Sequence, residues 1–318
     1  MDGCDTHRRG PPGPGHSAAR EDAGFAIGRE RHARVRIVGA GPGAADLLTI
    51  RAWRALQWAD VVLHDALVSA EVLALIPDAA LCIAVGKRAG AGSMRQAASQ
   101  FALQATMIAH ARAGRNVVRL KGGDPAVFGR LGEEIVALAA AGIAFEIVPG
   151  ITAASGCAAA LGVPLTDRGG AHALHVVTAH RATDIPADAW REHACEDTTL
   201  AIYMGGAQVA AICAALLAAG RSAETPVVIV RDGTARNARA WRTSLGQPRV
   251  PRLDADRPVL LLVGRVVDYM LPGAGAAAIA AAAPSAPRVI GTQGRLQSAV
   301  PASRMPIPLR RSGWRAVR

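Results

Sequence analysis

From residue 34 to about residue 150, short β-branched runs alternate with longer stretches in which apolar side chains return every three or four positions. Arg34 to Val38, Val61 to Leu63, Ala80 to Val85, Asn116 to Leu120 and Phe145 to Val148 are of the first kind and predict strands. Leu48, Ala52, Ala55, Leu56 and Ala59 share one helical face, and Ala97, Phe101, Ala105, Ile108 and Ala111 mark a longer helix. Glu133 to Ala141 predicts a third. This rhythm, kept over about 115 residues, predicts a mainly parallel sheet with helices packed over it.

Pro149-Gly150 interrupts the pattern and reads as a hinge between two α/β domains. Beyond it a helix is predicted through Thr152 to Leu161, with strands at Ala173 to Thr178 and Thr199 to Tyr203. A helix at Gln208 to Ala219 follows, then strands at Pro226 to Val230, Ala238 to Leu245 and Pro258 to Val263. Strands outnumber helices here, so a mixed sheet is expected. The organisation reads as a leader at 1–33, an N-terminal domain at 34–149, a C-terminal domain at 150–271 and a tail at 272–318. The leader, with PPGPG at Pro11 to Gly15, and the Ala-, Pro- and Arg-rich tail lack hydrophobic period and are read as disordered. The 33 residues before the first strand are read as too few for a further folded domain.

Composition narrows the class. The 318 residues are 51% hydrophobic and 19% charged, which suits a globular chain and excludes a wholly disordered one. The longest uncharged stretches, 147–166 and 269–287, are broken by prolines, so neither predicts a membrane span and no membrane partner is expected. Cys4, Cys82, Cys157, Cys195 and Cys213 are scattered, without a CxxC pair. Neither a disulfide framework nor a metal site is predicted, and a reducing cytoplasm is the expected compartment. The net charge of +11 comes largely from seven arginines after residue 271, which leaves about +4 for the middle. With only 3% aromatic residues for stacking, no nucleic-acid partner is expected.

Candidate chemistry sits at the strand ends. The first predicted strand runs into Gly39-Ala40-Gly41-Pro42-Gly43. Glycines there let backbone approach a ligand, but Ala44 breaks the dinucleotide fingerprint and Pro42 lacks an N–H. The second ends in His64-Asp65 and the third in Gly86-Lys87-Arg88. Lys87 and Lys121 are the chain's only lysines against 34 arginines, and both end a predicted strand beside glycine, where a titratable point charge suits chemistry. The fourth delivers Lys121-Gly122-Gly123-Asp124-Pro125, a rigid turn suited to gripping a small polar ligand. The fifth opens a helix through Thr152 to Ser155, whose N–H groups are offered to a carboxylate. Such ends converge on one edge of a parallel sheet, where a ligand would lie.

The segments VRIVGAGPGAADLLT, VVLHDALVS, VGKRAG, VVRLKGGDPAVFGR, VPGITAASG, GVPLTDR, AIYMGG, TPVVIVRDGT and LLLVGRVV resemble, in order and spacing, the uroporphyrinogen-III C-methyltransferases of the tetrapyrrole methylase family. The resemblance runs from Arg34 to about Tyr269. It implies a two-domain α/β homodimer that holds S-adenosylmethionine between its domains and methylates uroporphyrinogen III at C2 and C7. The product would be precorrin-2, for sirohaem or cobalamin synthesis. By motif, Pro42, Gly122, Gly123, Asp124, Val127, Thr152, Ala153, Met204 and Gly233 would hold the methyl donor. Asp65 and Lys87 match the family's proton acceptor and donor. A substrate with eight carboxylates calls for arginines, and Arg88, Arg119, Arg130 and Arg168 are the candidates, with Arg236 and Arg239 behind them.

The sequence departs from the family pattern at His64, Ala66, Ala126, Leu131, Asp167 and Ala238, and in a longer stretch after GKRAG. These changes fall more on the substrate side than on the donor side. Rival readings are a methylase of a later corrin precursor, a methylase of ribosomal RNA or of a modified histidine, and a nucleotide-binding module without catalysis.

Overall fold

The structure is a computed structural model that describes residues 34–85, 93–179, 190–254 and 257–270, with the side chains of 93–99 excepted. The leader and tail expected at the two ends lie outside the described residues.

The first sheet contains β1 (Val35–Gly39), β2 (Val61–His64), β3 (Leu81–Ala84), β4 (Val117–Lys121) and β5 (Phe145–Val148). Its order is β3-β2-β4-β1-β5 and every pairing is parallel. Helices cover both faces, which is why its strands read as near-continuous apolar runs. On one face Val38, Val62, Val118, Leu120 and Val148 pack against Ala52, Ala55 and Leu56 of α1 (Ile50–Trp58) and Val72 of the short α2 (Ala70–Leu73). On the other, Val35, Ile37, Val61, Leu63 and Val117 meet α3 (Ser93–Arg112) and α4 (Leu131–Ala140).

The long helix forms where its periodicity places it, and of the residues that mark it Ala111 and Ile108 pack toward the sheet. Phe101 is 72% exposed, whereas Leu103, Met107 and Ala111 are buried. The positions that meet the sheet, 103, 107 and 111, stand about one helical turn apart, and the long side chains of Leu103 and Met107 fill the gap.

After β5 the chain crosses to the second sheet through α5 (Ala153–Leu161). That sheet holds β6 (Ala173–Thr178), β7 (Thr198–Tyr203), β8 (Pro226–Arg231), β9 (Arg239–Ser244) and β10 (Val259–Val263), in the order β6-β7-β10-β8-β9. Only β6 and β7 pair in parallel, so the sheet is mixed as expected. One face packs on α6 (Val209–Ala218) through Ile212, Cys213 and Leu216, and the other on Ala154, Cys157, Ala158 and Leu161 of α5. β10 runs antiparallel to both β7 and β8, so the carboxyl ends of those two strands lie at one edge.

The crossing is not a loose hinge. The Gly150 N–H donates to Asp124 Oδ2 at 3.0 Å, and a Cβ on Gly150 would stand 2.3 Å from the Gly123 carbonyl oxygen. A Cβ on Gly39 would meet the same oxygen at 2.6 Å. Three loop backbones therefore pack directly on one another, which only glycine permits at these positions.

Candidate active site

The loops after β1, β2, β4 and β5 share the carboxyl edge of the first sheet because all four strands are parallel and adjacent. Gly41 and Gly123 exchange backbone hydrogen bonds of 3.1 and 2.8 Å, and the Ala40 N–H donates to the Lys121 carbonyl at 2.7 Å. Loops of the second sheet close against this edge. Pro42 packs on α5, where a Cβ on Gly156 would lie 2.4 Å from its Cγ. The Pro42 carbonyl faces Gly233, and the Ala44 N–H donates to Thr234 Oγ1 at 3.0 Å. Arg236 pairs with Glu71 of α2 at 2.6 Å, and the ring of Phe128 lies 5.2 Å from that of Tyr203.

Among the described residues, non-glycine positive φ occurs at Phe128, Arg130, Met204 and Asp232, all in these loops. Each such conformation costs on the order of 1 kcal/mol or more and persists only where its surroundings hold it, a pattern common at binding sites. Met204 is 47% exposed although apolar, and Leu67 and Phe128 are exposed beside Gly122 and Tyr203.

Asp65 follows β2 with its side chain 30% exposed, and its Oδ1 accepts from Arg119 Nη2 at 2.5 Å. The Arg119 side chain is only 4% exposed. Its Nε donates to Glu134 Oε1 at 3.0 Å, and its Nη1 to the Leu63 and Leu120 carbonyls at 3.4 and 3.1 Å. Lys121 Nζ donates to the same Glu134 oxygen at 2.8 Å. Burial, and then the charge of Arg119, push the Lys121 ammonium below the ordinary lysine range, while Glu134 works against both. Arg119 is thus placed under Asp65 with its donors engaged, not pointing freely toward a ligand.

Other expected site residues fall as follows. Asp124 spends both oxygens on backbone, taking the Ala126 N–H at 2.8 Å and the Gly150 N–H at 3.0 Å. The N–H groups expected to be free at the start of α5 are partly spent: the Tyr203 hydroxyl accepts from the Ala154 N–H at 2.9 Å and bonds Thr152 Oγ1 at 2.6 Å. Tyr203 lies within the AIYMGG segment but is given no role there, because its partners lie about 50 positions away. Arg130 is held in a two-point pair by Glu133, at 2.8 and 2.7 Å. Arg168 is exposed in a turn that packs on Arg265, and Arg239 donates to the Ala238 carbonyl. Lys87 and Arg88 lie outside the described residues. Among the described residues no cluster of His, Cys, Asp or Glu has metal-binding geometry.

A doubly covered parallel sheet whose carboxyl edge is closed by the loops of a second, mixed sheet defines a two-sheet α/β protein with its site at the junction. Residues 34–249 match the family model of the tetrapyrrole (corrin/porphyrin) methylases, and the chain belongs to that family. The chain is 47% identical over 238 residues to the sirohaem synthase of Stutzerimonas stutzeri, a match covering 73% of this chain and 50% of that protein. The sirohaem synthase of Edwardsiella ictaluri is 45% identical over 246 residues, or 77% and 52% of the two chains. The chain thus spans about half the length of the curated relatives it matches. The structure of uroporphyrin-III C-methyltransferase from Thermus thermophilus, complexed with S-adenosylhomocysteine, superposes with a TM-score of 0.61 at 38% identity, covering 74% of this chain and 99% of that one. A cobalt precorrin-4 methyltransferase of cobalamin biosynthesis superposes with a TM-score of 0.61 at 29% identity, covering 74% and 95%.

Proposed function

We propose that this chain transfers methyl groups from S-adenosylmethionine to C2 and C7 of uroporphyrinogen III, giving precorrin-2 by way of precorrin-1. The observation that carries the reading is the junction itself. Glycine-rich backbone, exposed Met204 and Phe128, and a half-open carboxylate meet at one edge of the first sheet.

The residues present suit the donor. Gly123 stands in a left-handed conformation where an added Cβ would meet the Thr152–Ala153 backbone at 3.9 to 4.0 Å, so these two loops run side by side with little side chain between them. Gly122, Gly123, Val127 and the Thr152–Ala153 backbone would take the amino-acid end, and Pro42, Met204 and Gly233 would border the adenosyl end. Asp124 contributes by tying two of these loops together. When bound, the donor supplies an intrinsically electrophilic sulfonium methyl, so alignment and exclusion of water are the protein's main tasks.

Attack by a pyrrole carbon requires that the macrocycle then lose a proton. Asp65 would accept it, and the contact of Arg119 with one of its carboxylate oxygens supports this reading. Lys87 is proposed as the proton donor, and Arg88, Arg130 and Arg168 as partners for substrate carboxylates, with Arg119 acting through Asp65. A homodimer in the cytoplasm is part of the same reading. Among the described residues no helix is long and apolar enough to cross a membrane.

Calorimetry with S-adenosylhomocysteine and with NAD tests the donor site, and binding of the first but not the second is expected. Asp65→Asn is expected to keep donor affinity and lose methyl transfer by about a hundredfold or more. Full turnover in folded Asp65→Asn would remove Asp65 from the mechanism.

A further inference from the structure

β4 is buried along its whole length, yet it carries Arg119 and Lys121 at alternate positions, so both cations face α4. Glu134, in the first turn of α4 and fully buried, receives both on a single oxygen. An apolar layer would fill this space at lower desolvation cost, and buried ion pairs are weak evidence for stability. What the arrangement does achieve is geometric. The planar guanidinium of Arg119 is gripped along three edges: Nε by Glu134, Nη1 by the Leu63 and Leu120 carbonyls, and Nη2 by Asp65. Without the Nε contact the group could rotate about its stem, and Nη2 would leave the Asp65 carboxylate.

We propose that Glu134 is a positioning residue for methyl transfer: it fixes the Arg119 guanidinium so that Asp65 is held at the rim of the cleft in the orientation that receives the proton. The proposal rests on Asp65 being the proton acceptor. Glu134 touches neither the donor nor the macrocycle, and it acts only through Arg119. Exposed Glu133, its neighbour, pairs instead with Arg130 and has no part in this.

The test measures single-turnover methyl transfer per donor-binding site in Glu134→Gln, alongside donor affinity by calorimetry and the unfolding midpoint. A loss of about tenfold in the transfer rate, with donor affinity within about two-fold of the parent, is the expected result. Because Glu134→Gln leaves Lys121 without its counter-charge, the pair Glu134→Gln/Lys121→Met is measured beside it and is expected to show the same loss. A transfer rate within about two-fold of the parent in either folded variant overturns the proposal. So does a loss of rate matched by a loss of donor affinity, or failure of both variants to fold, since each describes a purely structural residue. Asp65→Asn is run in parallel. If Asp65→Asn is inactive while Glu134→Gln is fully active, only the positioning role falls, whereas an active Asp65→Asn removes the proton-acceptor reading on which it stands.

Discussion

Tyr203 shows how a single side chain can shape this site without being visible in the sequence as part of it. Its hydroxyl caps the start of α5, while its ring meets Phe128 across the junction. Burial pushes the phenol above its ordinary range, so at neutral pH it keeps the proton it can donate to Thr152 while accepting from Ala154. Tyr203→Phe leaves the Ala154 N–H without that partner and should cost about 1–2 kcal/mol in urea unfolding, together with weaker donor binding. An unchanged midpoint and unchanged affinity would show that water replaces the hydroxyl. The strand-end glycines, Asp65 and Asp124 were legible because their types stand out beside predicted strands. Tyr203 and Glu134 were not: the first reads as the last residue of an apolar strand, the second as one of two ordinary acids opening a helix. Their roles arise only when β7 docks on α5 and α4 docks on β4. For the same reason Arg119 reads as a candidate substrate ligand, since strand alternation reveals that two cations share a face but not that the face is buried.

At the level of elements, the ends of β1, β4 and β5 are locked together by contacts between backbones, and the β1 loop meets α5 through Pro42. Gly156 and Gly132 make a paired test, since both are helical glycines. A Cβ at position 156 would strike the rigid Pro42 ring, whereas nothing lies within 4 Å of one at position 132. Gly156→Ala should therefore destabilise by about 1–3 kcal/mol and weaken donor binding by displacing Pro42. Gly132→Ala should be neutral or stabilise by up to about 1 kcal/mol through helix propensity alone. Equal thermal midpoints for the two variants would contradict this packing. Periodicity located nearly every strand and helix, because each carries an apolar run of the right length between turn signals. It missed α2, only four residues long, and the residues that mark α3 divide, with Phe101 exposed and Ala111 buried. A stripe's spacing records that a helix exists, and the contour of the sheet decides which stripe is buried.

For the whole molecule, burial divides the cysteines. Among the described residues it raises Cys157 to about 12 and Cys213 to about 11, and it also raises Cys82, although Cys82 and Cys195 are exposed. Alkylation of the folded protein at neutral pH should mark Cys82 and Cys195 and spare Cys157 and Cys213 until unfolding, as peptide mass mapping would show. Acid should also weaken the second sheet. Burial, and then the neighbouring His175, lower the His193 imidazole below its ordinary 6.5. Below that value the unfolded chain takes up a proton that the folded one resists. Stability is thus intact above pH 6.5 and falls as pH drops through the folded midpoint. His193→Gln should flatten this dependence in unfolding measured from pH 7.5 downward, and an unaltered slope would exclude His193 as its source.

If the junction of the two sheets presents a methyl donor to a polyacidic macrocycle, incubating the protein with uroporphyrinogen III and methyl-labelled S-adenosylmethionine should label the product ring, and mass spectrometry counts the labels on each. Two methyl groups per macrocycle, at C2 and C7, with a singly methylated species appearing first, is the predicted result. No label in the macrocycle, under conditions where the donor is bound, would contradict it.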